Sequence, residues 1–293
     1  MQKRVYEKGE VNRLLVVNKP MFISSNFYLN KFKRAYKNKK AGFSGTLDPF
    51  AKGCLIVAFG QYAKLFKYLE KTPKTYKAVI WLGVSSESLD IERVINVGFE
   101  EKLAKDLIER ELLSLKGKIE YIPPKFSAKR VNGLKAYELA REGLDFELKS
   151  STMEIFDIKL LNYNHPFISF EASVSEGSYI RSLAQKFLEN ISCVGTLSYL
   201  ERVCEGKFKF ENHKELNPLD FINIPRNSYF GTKEWLEFGR KISKDYLSIK
   251  ENGMYIIELD EFFSIIEIDG DDVKYILNKI PNKKEENDKK ILC

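Results

Sequence analysis

Ala41-Gly42-Phe43-Ser44-Gly45-Thr46-Leu47-Asp48-Pro49-Phe50-Ala51-Lys52-Gly53-Cys54-Leu55 is the stretch on whose reading the chain depends. Gly42, Gly45 and Gly53 permit positive φ and close approach of another strand, and Pro49 keeps Asp48 out of the helical region. The expected product is an irregular loop that presents one carboxylate and then runs into an apolar strand. Two readings of Asp48 are open at this point: an Asx-turn residue that organises its own loop, or a carboxylate displayed for chemistry. Just upstream, residues 31 to 40 place six cations and two aromatics in ten positions. That pattern fits either a solvated helix face or a polyanion-binding surface.

Composition narrows the field. The chain has 293 residues, 44% hydrophobic and 30% charged, enough for one large domain or a domain with an appendage and a full core. No apolar run reaches membrane-spanning length, and Met1-Gln2-Lys3-Arg4-Val5 lacks the apolar core of a signal peptide, so the expected compartment is the cytoplasm, with no membrane contact. Cys54, Cys193, Cys204 and Cys293 show no paired-ligand spacing and stand far from His165 and His213. A zinc site or a disulfide framework is therefore not expected, and no metal is assigned. The net charge is +7, yet residues 250 to 280 hold eight acids against three lysines. The basic excess belongs to the body of the chain, which is the part expected to meet a polyanion.

Outward from the loop, Arg13 to Asn18 reads as a buried strand ended by Lys19-Pro20. Ser24 and Ser25 can cap a helix with Phe27, Leu29, Phe32 and Tyr36 near one face and the cations on the other. Gly53 to Phe59 and Thr75 to Leu82 read as strands, with a short helix between them from Gln61 to Leu69. Ser85 to Val97 lacks periodicity and is expected to be a mobile loop; Glu100 to Leu115 has the spacing of a surface helix. Pro123 to Gly133 is expected to be extended and to carry Lys125, Lys129 and Arg130 toward phosphates, with a helix over Leu134 to Arg141. Strands over Lys149 to Asn162 and Phe167 to Val174 flank the turn at Asn164-His165-Pro166. Gly177 and Ser178 mark a strand-to-helix turn that puts Tyr179 and Arg181 in a first helical turn, where a cation opposes the helix dipole and calls for a specific partner. After Pro225-Arg226, short strands are expected over Trp235 to Ser243, Gly253 to Glu258, Phe262 to Ile268 and Val273 to Leu277.

Gly45-Thr46-Leu47-Asp48-Pro49-Phe50-Ala51-Lys52-Gly53-Cys54-Leu55, with Gly60-Gln61-Tyr62-Ala63-Lys64, resembles the catalytic loop of the bacterial tRNA pseudouridine-55 synthases, the TruB family. The resemblance continues through Asn18-Lys19-Pro20 with Ser24-Ser25-Asn26, then Lys74-Thr75-Tyr76-Lys77-Ala78. It extends to Pro123-Pro124-Lys125-Phe126-Ser127-Ala128, Val131-Asn132-Gly133 and Tyr137-Glu138-Leu139-Ala140-Arg141. Gly177-Ser178-Tyr179-Ile180-Arg181-Ser182-Leu183-Ala184, Gly195-Thr196-Leu197 and Leu200-Glu201-Arg202 complete it. These ordered matches run from about Leu14 to Arg202.

The resemblance implies a mixed α/β (α+β) catalytic domain over residues 1–226 with a central, largely antiparallel sheet. It further implies a small PUA-like β module over 227–280 that helps position RNA, and a charged, disordered tail over 281–293. It implies isomerisation of the T-arm uridine of tRNA, by flipping the base into a basic cleft, with no cofactor and no obligatory protein partner. Asp48 is then the catalytic carboxylate, Tyr76 stacks on the uracil and Arg181 orients Asp48. Tyr179 and the backbone near Leu200 line the uracil pocket, and Lys19, Lys64, Arg130 and Arg141 join the substrate-binding set. The sequence departs from the family at Phe43, where a histidine is usual and where the ring is expected to stack against displaced bases. It also departs at Phe22, where glycine is common, and at Arg130, where lysine is usual. Two alternatives stay open: an RNA-folding protein on the same scaffold, and a synthase acting on another RNA.

Overall fold

The computed structural model of the chain describes residues 12–283; of the expected 281–293 tail, Pro281 ends a strand instead, and the part from 284 onward lies outside the described residues. In chain order the strands are β1 (Arg13–Lys19), β2 (Ala41–Phe43), β3 (Lys52–Phe59), β4 (Lys74–Leu82), β5 (Val84–Ser86), β6 (Val94–Val97) and β7 (Gly117–Tyr121). They continue with β8 (Arg130–Val131), β9 (Leu134–Lys135), β10 (Ser151–Asn164), β11 (Phe167–Val174) and β12 (Gly195–Glu205), then β13 (Gly253–Glu258), β14 (Phe262–Asp269) and β15 (Asp272–Pro281). The helices are α1 (Ser25–Ala35), α2 (Lys105–Leu113), α3 (Ala136–Arg141), α4 (Ile180–Asn190) and α5 (Lys233–Glu237).

The central sheet has the order β1-β3-β12-β4-β11-β10-β7, with β2 paired to β3. Every pairing is antiparallel except β12 with β3, which touch in parallel at Glu201–Lys52 and Arg202–Gly53. Gly53 makes that seam possible: its φ is +109°, and a Cβ there would stand 2.3 Å from the Arg202 carbonyl oxygen. The Asp48 loop leads directly into this seam.

Alternation explains why β1 and β3 read as unbroken apolar runs. Leu14, Val16, Cys54, Ile56 and Ala58 face one way and pack with Ile256, Phe263, Ile265 and Ile280 of the three-stranded β13-β14-β15 sheet. Leu15, Val17, Leu55, Val57 and Phe59 face the other way, onto Leu29 and Phe32 of α1. A strand buried on both faces shows no polar alternation. The carboxy-terminal sheet is thus part of the body's core rather than a loosely attached piece. The rest of the central sheet lies under α2 and α4, whose Ile108, Leu112, Leu183, Ala184 and Phe187 share one apolar cluster with Ile80, Phe170 and Leu197.

Three local expectations are corrected. Residues 85–97 are not a mobile loop: β5 pairs with β6, and a 3-10 turn at Ile91–Arg93 follows the buried Asp90. Trp235 to Ser243 is not a strand, because it begins inside the five-residue α5 and continues as a turn. Tyr179 precedes the first turn of α4 rather than lying within it. The turn at Phe22 keeps a left-handed residue, φ +62°, although its side chain is aromatic. Among the described residues, no helix is long and apolar enough to cross a membrane.

Candidate active site

The loop between β2 and β3 is clamped on both sides of Asp48. The Ser25 hydroxyl donates to the Leu47 carbonyl at 2.9 Å and accepts from the Leu47 N–H at 3.0 Å. The Phe22 N–H donates to the Pro49 carbonyl at 2.6 Å. Leu47, Phe50 and Ala51 are buried in the core beneath. Apolar anchors on either side of a turn fix the backbone without using the carboxylate, which stays 29% exposed.

Opposite it, α4 carries Arg181 on the same side as its apolar face, and the guanidinium is only 2% exposed. Its Nη2 lies 2.9 Å from Asp48 Oδ2 and donates to the Phe126 carbonyl at 2.9 Å. Its Nη1 lies 3.3 Å from Asp90 Oδ2 and donates to the Ser88 carbonyl at 2.7 Å. A forked, planar cation is suited to this divided load. Asp90 is itself held by the Ser88 hydroxyl at 2.6 Å and the Glu92 N–H at 2.9 Å. Burial pushes the Asp90 carboxyl up, and Arg181 works against that shift. Burial also raises Glu92, with the charges of Asp90 and Asp48 acting in the same direction.

Lys19, expected among the substrate-binding groups, is instead completely buried. Its ammonium donates to the carbonyls of Pro20 (2.9 Å), Ile23 (2.7 Å) and Pro49 (3.2 Å). Its three N–H groups are consumed in tying the turn after β1 to the Asp48 loop, so it has none to offer a ligand. Burial lowers its pKa to about 8, although the nearby Asp48 charge resists that shift.

A second buried network lies below the loop. Arg202 donates from Nε to the Cys54 carbonyl at 2.8 Å and from Nη2 to the Gly45 carbonyl at 3.0 Å. The same Nη2 lies 2.8 Å from Glu205 Oε1. Glu205 Oε2 meets Lys74 Nζ at 3.0 Å and accepts from the Ser44 hydroxyl at 3.2 Å. Tyr76 stands opposite Arg202 in the β4–β12 register. Burial raises the Tyr76 pKa, with the Asp48 charge contributing in the same sense, so the phenol stays protonated. Sequence reasoning missed Glu205 and the role of Lys74, because a bulge between Arg202 and Cys204 breaks the alternation that would reveal an inward-facing charge.

The Asp48 charge also raises the Tyr179 pKa, after burial, the larger cause. Arg181 thus pairs with Asp48, and Tyr76 and Tyr179 both feel the charge of that carboxylate. Leu200, buried on β12 and paired with Ala78, lies two residues from Arg202 in the strand that faces Tyr76. Phe43 is half-buried on β2 and packs against the cluster under α1. Lys64, Arg130 and Arg141 are exposed on separate elements: a 3-10 turn, the β8–β9 hairpin and the end of α3. The cationic tract forms a trough of about 590 Å³ lined by Asn30, Lys33, Arg34, Lys37 and Lys39.

A family model described as TruB family pseudouridylate synthase (N terminal domain) matches residues 33–180. The tRNA pseudouridine synthase B of a Sulfurovum species is 56% identical over 271 residues, covering 92% of this chain and 98% of that protein. The protein of the same name from Campylobacter jejuni is 49% identical over 92% of this chain and 99% of its own length. Among solved structures, a chain of a Cbf5-Nop10-Gar1 complex superposes with a TM-score of 0.65 at 17% identity, covering 92% of this chain and 84% of that one. A chain of an H/ACA RNP bound to a substrate RNA containing 2'-deoxyuridine gives 0.63 at 16% identity, over 93% of this chain and 86% of that one. At such identities these two likenesses speak to the fold.

Proposed function

Since the chain belongs to the TruB family of pseudouridylate synthases, we propose that it converts uridine to pseudouridine at position 55, in the T-arm of tRNA, with Asp48 as the catalytic carboxylate. The observation that carries this reading is the ion pair between the partly exposed Asp48 and the buried Arg181 at 2.9 Å. A cation fixed by two carbonyls and a second carboxylate holds Asp48 in one direction.

The isomerisation breaks the bond from the ribose C1′ to uracil N1 and forms one from C1′ to C5. The C5 proton leaves and N1 gains one, so the reaction is balanced without redox change. An ionised carboxylate serves this sequence by adding to the sugar or the base, or by taking a sugar proton. Tyr76, protonated and buried, offers a ring face for the uracil. Tyr179 and Leu200 supply apolar wall, in which electrostatic contacts act with less screening.

The target must leave its stack to reach Asp48, at a cost of a few kcal/mol that is smallest in a loop. Lys64, Arg130, Arg141 and the α1 trough offer exposed cations for the phosphates around such a loop. Mapping pseudouridine in an unmodified tRNA transcript and in a ribosomal RNA hairpin, each incubated with the protein alone, tests the assignment. Product confined to the T-arm uridine is expected; product only in the hairpin overturns the tRNA reading.

A further inference from the structure

Phe22 combines two features that ordinary packing does not reward. Its φ of +62° lies in the left-handed region, where an L-residue's Cβ crowds the backbone and a bulky residue is an outlier. Its ring is 64% exposed, and it belongs to none of the apolar clusters formed by the described residues. Burial therefore does not compensate the strain.

The turn is nevertheless held firmly. The Phe22 N–H bonds the carbonyl of Pro49, the residue after Asp48, at 2.6 Å. Lys19 Nζ joins the Ile23 carbonyl on the far side of Phe22 to the same Pro49 carbonyl. Ser24 then caps α1, its hydroxyl accepting from the Phe27 N–H at 3.1 Å. A strained, exposed aromatic is thus bonded to the loop of the candidate catalytic carboxylate. Strain concentrated at such a place is a functional signature. The surroundings suit RNA: Phe27, on the first turn of α1, is 51% exposed with Lys31 Nζ 5.7 Å from its ring centroid, and the cationic trough follows along the helix.

We propose that Phe22 is a stacking subsite for the RNA nucleobase that flanks the uridine taken in by the Asp48 site. The inference rests on the RNA-modifying reading of that site and assigns it one further contact. A planar apolar ring beside cations accepts any base face, so the contact contributes affinity and geometry rather than base identity.

The test compares the native protein with Phe22→Gly and Phe22→Trp on one T-arm stem-loop RNA, reading binding, single-turnover rate and melting temperature. Glycine tolerates this φ, so Phe22→Gly is expected to melt no lower than native. It is expected to bind the RNA about 5- to 160-fold more weakly, the range of one base–aromatic stack. Phe22→Trp should restore binding, and its added indole fluorescence, measured over that of Trp81 and Trp235, should be quenched by RNA. Native-like binding by Phe22→Gly, or an indole signal unmoved by saturating RNA, overturns the subsite. If the native protein binds this RNA but forms no pseudouridine, the proposed reaction falls while the binding and quenching results still decide the stacking claim. Absence of native binding overturns both.

Discussion

Arg181 reaches Asp48 with one guanidinium nitrogen and Asp90 with the other, at 2.9 Å and 3.3 Å. The cation and Asp90 are both 2% exposed while Asp48 keeps a solvent face. One carboxylate is therefore a buried counterweight, and the other is the one left free for the role we propose. Lysine at position 181 keeps the charge but not the fork. Arg181→Lys is expected to fold and to lose about 10²-fold or more in single-turnover rate, the usual cost of a displaced preorganised contact. Arg181→Met should also lose about 3–5 kcal/mol in urea unfolding, because Asp90 is then buried without its cation.

Glu205 balances two cations beneath the Asp48 loop, Arg202 and Lys74. Glu205→Gln leaves both poorly compensated in the interior. The expected loss is about 3–5 kcal/mol in denaturant unfolding. A change within experimental error would show that the network is not holding the loop.

Lys19 supplies the pH signature. Its folded pKa, about 8, lies below its ordinary value of 10.5, so between those limits the unfolded chain binds more protons than the folded one. Stability contributed through Lys19 therefore rises as pH increases through that window. The penalty of burying the charged form is fully present below about pH 8. Urea unfolding of native protein and Lys19→Met from pH 7 to 10 should show the difference, native minus variant, growing with pH. A flat difference would contradict the assignment.

Lys64, Arg130 and Arg141 test the phosphate surface. Alanine at each should weaken RNA binding and lower the slope of log affinity against log salt by about 1, while leaving the rate on saturating RNA close to native. Loss of rate at saturation, with the slope unchanged, would assign them to the chemistry instead.

Much of this arrangement was legible in the sequence, for reasons that differ by residue. The glycines and proline around Asp48 left two readings open, and the place of Arg181 at a helix start called only for some partner; the resemblance chose between the readings and named that partner. The apolar runs at β1 and β3 announce strands buried on both faces. The Arg181–Asp90 pairing was hidden because it depends on the β5–β6 ribbon, whose β6 residues are all exposed and so show no alternation. α5, at five residues, is too short to display a helical period. Lys19 was placed in the substrate-binding set by the resemblance; lysine is seldom buried, and only the three converging carbonyls reveal why this one is.

The most direct measurement is pseudouridine formation at the T-arm uridine of an unmodified tRNA transcript, without added cofactor, by the native protein and by Asp48→Asn. The amide fills the same volume but cannot act as a carboxylate nucleophile or base. Product from the native protein, and none from a variant that still binds the RNA, is the expected result. Product formed by Asp48→Asn at the native rate would contradict the role given to this carboxylate.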